Sequence, residues 1–117
     1  MQDVFVISAA RTAIETFGGT FKDHSPTAFG AAITNEVVTR AGLGVYDLDV
    51  IETNEAFAAQ TCAVACELEF DPNKVNPNGS GISLGHLIGA TSAIIATKLV
   101  HELQRTGGRC GLAPMCV

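Results

Sequence analysis

Residues 75–91 read VNPNGSGISLGHLIGAT, a glycine-rich and nearly uncharged turn that ends in His86 and opens into a small-residue apolar helix. Glycine allows a backbone to pass close to a ligand or to another backbone. A histidine in such a turn can exchange protons near neutral pH. The stretch lacks the Gly-Lys-Ser/Thr ending of a phosphate loop. It therefore predicts a loop that leads into a helix, with His86 either an acid–base group or a turn residue with no chemical role.

Strand-like and helix-like patterns alternate on both sides of this loop. Apolar runs bounded by turn residues predict strands, and apolar residues at helical spacing predict helices that begin at caps such as Ser25-Pro26. In chain order we expect a strand at 4–9, a helix at 25–41, a strand at 47–52, a helix at 54–68, a strand at 74–76, a helix at 87–104 and a strand at 110–117. The order βαβαβαβ favours a layered α/β domain with a parallel sheet.

Composition narrows the class of protein. A chain of 117 residues indicates one domain, and a hydrophobic share of 47% is enough for one modest core. The net charge of −5 argues against nucleic acid and anionic membrane as partners. No apolar run is long enough to span a bilayer, and the N-terminus has no basic region before its apolar run. We expect a cytoplasmic protein.

The four cysteines are predicted to be free thiols. Without a secretion signal, a disulfide framework is not expected. Cys62 and Cys66 would share one helix face, and a metal site that joins them to a histidine, His86 or His101, is disfavoured because zinc-type spacing is absent. We therefore predict no metal, and expect Cys62, Cys66 and Cys110 to be packing residues.

Three segments together resemble a known family. Asn54–Phe57 reads NEAF, residues 75–91 contain the glycine turn and His86, and Gly111–Cys116 reads GLAPMC. These resemble the C-terminal active-site signatures of the thiolases, which include the acetyl-CoA acetyltransferases and the β-ketothiolases. Residues 3–43 resemble the beginning of a thiolase, and residues 45–117 its C-terminal part. The resemblance implies one truncated domain over 1–117, a thiolase-like layered half-domain that lacks its final strand.

The resemblance also implies roles for three residues. His86 matches the histidine that takes a proton from the nucleophilic cysteine, Asn54 matches the asparagine that holds a water in an oxyanion hole, and Cys116 matches the acid–base cysteine. Attack on a thioester carbonyl builds negative charge on oxygen, which needs preorganised donors, and proton abstraction next to a carbonyl needs a nearby base. The other interpretations are a helix N-cap for Asn54 and a frayed terminal residue for Cys116.

The sequence departs from the family at three places. Leu87 follows the histidine where thiolases usually have proline, and Pro114 stands where they usually have threonine. No segment resembles the one that carries the thiolase nucleophilic cysteine.

These features imply two functions. One is acyl transfer between acyl-CoA or 3-ketoacyl-CoA and coenzyme A, impaired by the missing segment. The other is a non-catalytic remnant or interaction fragment. Coenzyme A thioesters are the implied substrates, no tightly bound cofactor is expected, and the residues that bind coenzyme A are not assigned. A half-domain exposes faces that would pack on the other half, so self-association is also expected.

Overall fold

A computed structural model describes residues 3–115. Within this range it contains four α-helices, one short 3-10 helix and a small parallel sheet: α1 Pro26–Arg40, the 3-10 helix Val45–Asp47, β1 Val50–Ile51, α2 Ala58–Glu67, α3 Gly81–Leu84, α4 Thr91–Thr106 and β2 Gly111–Leu112. The α/β class predicted from the sequence is confirmed. No helix among the described residues is both long and apolar enough to cross a membrane.

The sheet is built around Ile51. This residue pairs in parallel with Leu112 of β2 on one side and forms a parallel bridge to Val75 on the other. Its side chain is only 1% exposed, because α4 packs on both short strands and residues of α1 and α2 belong to the same buried cluster. The buried cluster consists of Ala31, Val38, Leu48, Ile51, Val64, Leu68, Phe70 and Leu112. The sheet therefore passes through the middle of the core.

Helix α4 packs tightly on β2 because β2 begins with a glycine. A Cβ placed on Gly111 would lie 2.6 Å from Leu99 Cδ1 of α4, closer than real Cβ atoms come to a neighbouring heavy atom. A larger residue at this position would force the Leu99 side chain, or the helix that carries it, to shift. The start of β2 is fixed by Asp49, whose Oδ2 accepts hydrogen bonds from the backbone N–H groups of Arg109, at 2.7 Å, and Cys110, at 2.9 Å. These bonds lower the pKa of the Asp49 carboxyl.

The N-terminal part of the chain differs from the prediction. Residues 3–16 form neither helix nor strand, so the predicted strand at 4–9 is wrong. Its apolar side chains are largely exposed, from 56% for Val4 to 88% for Val6. The physical reason is that β1 already has a neighbour on each edge, at Val75 and at β2, so that the middle of the sheet offers no position for another strand.

Helix α2 also differs from the prediction. It begins at Ala58, not at residue 54, and its N-cap position is Phe57, so Asn54 is not the N-cap. Its most buried residue is Val64, on the side that packs against α1. Cys62 and Cys66 are exposed and are not packing residues, because α1 covers only one side of the helix. Cys110 is partly buried against the core, as expected.

The remaining elements are close to their predicted positions but shorter. Helix α1 begins at Pro26 with Ser25 at its N-cap position, and α4 begins at Thr91, a few residues later than predicted. The strand predicted at 74–76 is a single bridge at Val75. β2 ends at Leu112, ahead of Pro114, a residue with no N–H to donate to a strand ladder.

Candidate functional site

The glycine loop, residues 76–85, connects the Val75 bridge to the residues before α4. Its first residue, Asn76, has a φ of 44°, a left-handed conformation that asparagine tolerates better than most residues. Its last residue, Gly85, has a φ of 98°, a backbone angle that residues other than glycine rarely adopt. The short helix α3 lies between them. These two backbone reversals direct the chain away from the sheet and then back towards α4, with His86 directly after the second.

Side-chain hydrogen bonds fix the loop to the segment that follows β1. The Asn76 side chain accepts a bond from the Thr53 N–H at 2.8 Å and donates one to Glu55 Oε1 at 3.0 Å. Ser80 Oγ donates to the Thr53 carbonyl at 2.8 Å, and the Ile82 N–H donates to Glu55 Oε2 at 2.9 Å. Both Glu55 oxygens therefore accept hydrogen bonds from the loop. The NEAF segment and the glycine loop, 21 to 27 positions apart in these pairs, form one bonded unit.

Helix α4 holds the other side of the loop. The Lys98 ammonium group donates to the Gly79 carbonyl and to Oε2 of Glu52, whose side chain is fully buried. Burial raises the pKa of the Glu52 carboxyl, and the bond to Lys98 offsets part of that rise. The other oxygen, Glu52 Oε1, has no hydrogen-bond partner among the described residues.

A carboxylate of α4 itself also contacts the loop. Glu102, 4% exposed, accepts a bond from Asn78 Nδ2 at 2.8 Å and two from the guanidinium group of Arg105. Arg105 and, to a smaller extent, Asn78 lower the pKa of the Glu102 carboxyl to about 2. Two charged residues of α4, one positive and one negative, therefore contact neighbouring residues of the same loop.

Asn54 is buried beneath the loop. It is 2% exposed, its N–H donates to the Pro114 carbonyl at 3.0 Å, and its own carbonyl accepts from Thr61 Oγ1 at 3.5 Å. The backbone of Asn54 is thus tied to the chain just after β2 and to α2. This placement fits a residue whose position is fixed from two sides.

His86 lies at the surface next to the same region. Its ring is exposed, and Nδ1 lies 2.8 Å from Oγ1 of Thr91, the first residue of α4. Thr91 Oγ1 in turn donates to the Leu87 carbonyl at 2.8 Å. The ring is therefore joined to the start of α4 through one hydroxyl group.

A shallow depression that is open to solvent, with a cavity volume of only about 20 Å³, lies between the glycine loop, Asn54 and the first turns of α4. Its polar lining comes from Asn54, Ser80, Thr91 and Lys98. Gly85 and Thr91 also line it. His86 directly follows Gly85 and is hydrogen-bonded to Thr91, so it lies beside the depression. Of the three predicted site residues, Asn54 therefore lines the depression and His86 lies next to its lining. The third, Cys116, lies outside the described residues.

The sequence pattern gave no sign of two polar features of this site. The pair Glu52–Lys98 joins residues 46 positions apart, and the role of Thr91 depends on the turn between Leu87 and Ala90. A signal for the second existed in principle, since a threonine at the first position of a helix is placed to bond the preceding turn. Among the described residues no cluster of three or more His, Cys, Asp or Glu side chains could hold a metal ion.

Comparison with known proteins agrees with the sequence resemblance. The family model described as "Thiolase, C-terminal domain" matches residues 9–117. The chain is 64% identical over 84 residues to the β-ketothiolase BktB of Cupriavidus necator, a match that covers 72% of this chain and 21% of the relative. It is 49% identical over 84 residues to the acetyl-CoA acetyltransferase of Shinella zoogloeoides, with the same coverage of both proteins.

Solved structures give the same result for the fold. The acetyl-CoA acetyltransferase of Bacillus anthracis superposes with a TM-score of 0.72 at 47% identity, covering 74% of this chain and 22% of that chain. Human mitochondrial 3-ketoacyl-CoA thiolase in complex with CoA superposes with a TM-score of 0.72 at 40% identity and the same coverage. The matched part therefore corresponds to about a fifth of each of these proteins.

Proposed function

Because this chain belongs to the thiolase family through its C-terminal domain, we propose that it carries the His86 and Asn54 part of an acyl-transfer site for coenzyme A thioesters. The reaction is acyl exchange between acyl-CoA or 3-ketoacyl-CoA and coenzyme A, in the direction of thiolysis or of condensation. The observation that supports this proposal most directly is the position of Asn54 in the depression that His86 adjoins.

The proposed roles follow from the chemistry of a thioester. His86 accepts the proton of a thiol, so that the sulfur reacts as a thiolate, which is the nucleophilic form of cysteine. Asn54 orients a water that donates a hydrogen bond to the oxygen on which negative charge develops. Cys116 exchanges a proton with the carbon next to the thioester carbonyl. Coenzyme A and its acyl esters are substrates in this scheme, with no tightly bound cofactor.

Turnover by this chain alone is proposed to be slow. No stretch of the sequence resembles the thiolase segment with the nucleophilic cysteine. The ring of His86 is exposed, whereas electrostatic stabilisation of a transition state is strongest where water is excluded. We therefore propose a partial site in which His86 and Asn54 are in position and turnover is slow, but measurable, because the first step lacks its dedicated cysteine.

A second candidate function is a non-catalytic interaction fragment. It is favoured by the apolar side chains that surround His86 in the sequence and lie open to solvent: Ile82, Leu84, Leu87 and Ile88, each 61–78% exposed. Apolar residues concentrated in one exposed stretch are typical of surfaces that associate with another protein. In this alternative the chain binds a partner, a second copy included, and performs no chemistry.

A thiolysis assay separates the two candidates. Acetoacetyl-CoA loss is followed with coenzyme A present, with the purified chain and with the variants His86→Gln and Cys116→Ala. Turnover that both variants reduce supports the proposed acyl-transfer site. A folded chain that shows no turnover above the uncatalysed rate contradicts it and leaves the interaction fragment.

Self-association is a separate proposal with its own measurement. The exposed apolar side chains of residues 4–7 and 82–88 are expected to bring copies of the chain together. Sedimentation velocity over a wide range of concentration should show dimers or larger species that grow with concentration. One sharp monomer boundary throughout that range would contradict it.

A further inference from the structure

The hydrogen bonds around Thr91 fix where the proton of the neutral His86 ring lies. Thr91 Oγ1 is 2.8 Å from His86 Nδ1 and 2.8 Å from the Leu87 carbonyl oxygen. The side chain of Thr91 is buried, so solvent does not replace these partners readily, whereas His86 is exposed. The ring of an exposed residue is therefore tied to a buried hydroxyl group.

The Thr91 hydroxyl group can donate only one of these two bonds, and the Leu87 carbonyl oxygen also accepts from the N–H groups of Ala90 and Thr91. A hydroxyl group has one proton to donate, and a carbonyl oxygen can only accept. If Thr91 donates to Leu87, as threonine commonly does to a carbonyl one turn earlier, its oxygen must accept a proton from Nδ1. The chain of bonds then runs from Nδ1–H to Oγ1–H to the carbonyl oxygen.

The same series of hydrogen bonds fits both protonation states of the His86 ring. A doubly protonated imidazole also carries a proton on Nδ1, so adding or removing the proton at Nε2 requires no rotation of the Thr91 hydroxyl. With the reverse direction, the hydroxyl would have to turn each time the ring was protonated. Consecutive hydrogen bonds also polarise one another, which strengthens this arrangement.

We propose that Thr91 is a positioning residue for His86: its hydroxyl group keeps the proton of the neutral ring on Nδ1 and so makes Nε2 the nitrogen that accepts a proton. The proposal rests on the proposed function for its chemical meaning, since it is the choice of nitrogen that lets His86 act on a thiol. The geometry behind it is local. The turn in which the Ala90 N–H donates to the Leu87 carbonyl at 2.7 Å brings the ring back over the first turn of α4.

The experiment is a long-range ¹H–¹⁵N NMR correlation of the imidazole rings in the ¹⁵N-labelled chain. It is recorded about two pH units above the ordinary histidine pKa of about 6.5, so that neutral rings dominate. Nδ1 of His86 is expected at the chemical shift of a protonated ring nitrogen and Nε2 at that of an unprotonated one. The variant Thr91→Val, which lacks the hydroxyl group, is expected to move the Nδ1 shift towards the unprotonated value and the Nε2 shift the opposite way.

Two further variants make the result specific. Thr91→Ser keeps a hydroxyl group and should retain the parent pattern, as should Thr97→Val, which changes an exposed threonine of the same helix. An Nε2–H ring in the parent chain, or an unchanged pattern in a folded Thr91→Val, would overturn the proposal. If Thr91→Val does not fold, Thr91→Ala takes its place, and an Nε2–H ring in the parent chain overturns the proposal in either case.

The readout does not depend on turnover. A chain with the Nδ1–H ring and no acyl transfer keeps the positioning role and loses the proposed function. A chain with acyl transfer and an Nε2–H ring keeps the proposed function and loses the positioning role of Thr91. Where turnover is measurable, Thr91→Val is expected to lower kcat more than it changes KM, because the base is misdirected while the binding surface is kept.

Discussion

The glycine loop and the N-terminal segment, residues 3–16, make an instructive comparison. From the sequence, the first is predicted to be a loop with a family signature and the second to contain an apolar strand at 4–9. The loop contains three residues with positive φ and a high share of glycine, yet it is bonded to the NEAF segment on one side and to α4 on the other. The N-terminal segment has the better strand-forming residues and no regular structure.

The difference shows what decides whether a segment becomes part of a fold. Local preference of the backbone is a weak effect that tertiary contacts override. The polar groups of the loop bond to residues that the rest of the fold already fixes. The backbone of the N-terminal segment cannot pair with β1, because both edges of β1 are already occupied. In this molecule, a segment therefore takes up defined contacts where bonding partners are available to it. The predictions below test this by removing partners from the loop and side chains from the N-terminal segment.

The largest effect is expected from Lys98→Met. This change leaves the Glu52 carboxylate buried without its cation and removes a donor from the Gly79 carbonyl. Removal of one partner of a buried ion pair costs about 3 kcal/mol of unfolding free energy. Urea unfolding followed by circular dichroism measures the change.

The double variant Lys98→Met with Glu52→Gln is the control for this prediction. It removes the buried charge together with its partner, so it should be clearly more stable than Lys98→Met alone. Equal stability of the single and double variants would show that the loss comes from the loop contact and not from the charge.

A smaller loss is expected from Ser80→Ala. Ser80 is 6% exposed, and its hydroxyl group donates to the Thr53 carbonyl. Without the donor, a buried carbonyl loses its partner, at a cost of about 1–2 kcal/mol. Ser92→Ala, at an exposed position of α4, is the matched control and should change stability by less than about 0.5 kcal/mol. Equal effects of the two changes would mean that this bond does not fix the loop.

Part of this architecture could be predicted from the sequence because its signals are local. The start of α1 follows from Ser25-Pro26, and the position of the glycine loop follows from its composition. The family resemblance also predicted that Asn54 and His86 belong to one site; in the structure Asn54 lines the depression and His86 follows Gly85, another residue of its lining. The roles of these residues, and that of Cys116, stay predictions.

The rest could not be predicted because it depends on residues far apart in the chain. Nothing near Glu52 indicates a lysine 46 positions later, and the apolar run at 4–9 gives no information on whether a sheet edge is open to it. The exposure of Cys62 and Cys66 follows from which helix packs on α2, a property of the whole fold. A pattern along one segment does not contain these facts.

Acid titration tests the contact between α4 and the loop. The folded chain holds the pKa of Glu102 at about 2, below its ordinary value of 4.5. A lowered pKa contributes stability that is present above the ordinary value and is lost as the pH falls from 4.5 towards 2. Glu102→Gln should therefore reduce stability at neutral pH. Between pH 4.5 and about 2, it should also lower the number of protons taken up on unfolding by about one or less.

The matched control for acid unfolding is Glu36→Gln on α1. It removes a carboxylate from an exposed pair with Arg40, a kind of pair that contributes little to stability. Its unfolding curve should stay close to that of the parent chain. The prediction fails if the two variants change the acid curve equally.

The smallest effect is expected in the N-terminal segment. Val6 is 88% exposed, so Val6→Ser removes few contacts and should change the free energy of unfolding by less than about 0.5 kcal/mol. The comparable change in the sheet, Val50→Ser, affects a residue that is 3% exposed and should cost several-fold more. A loss of more than about 1 kcal/mol from Val6→Ser would mean that the segment packs on a partner, either its own fold or another copy. Repeating the measurement at a tenfold lower chain concentration separates these cases, because only association between copies weakens on dilution.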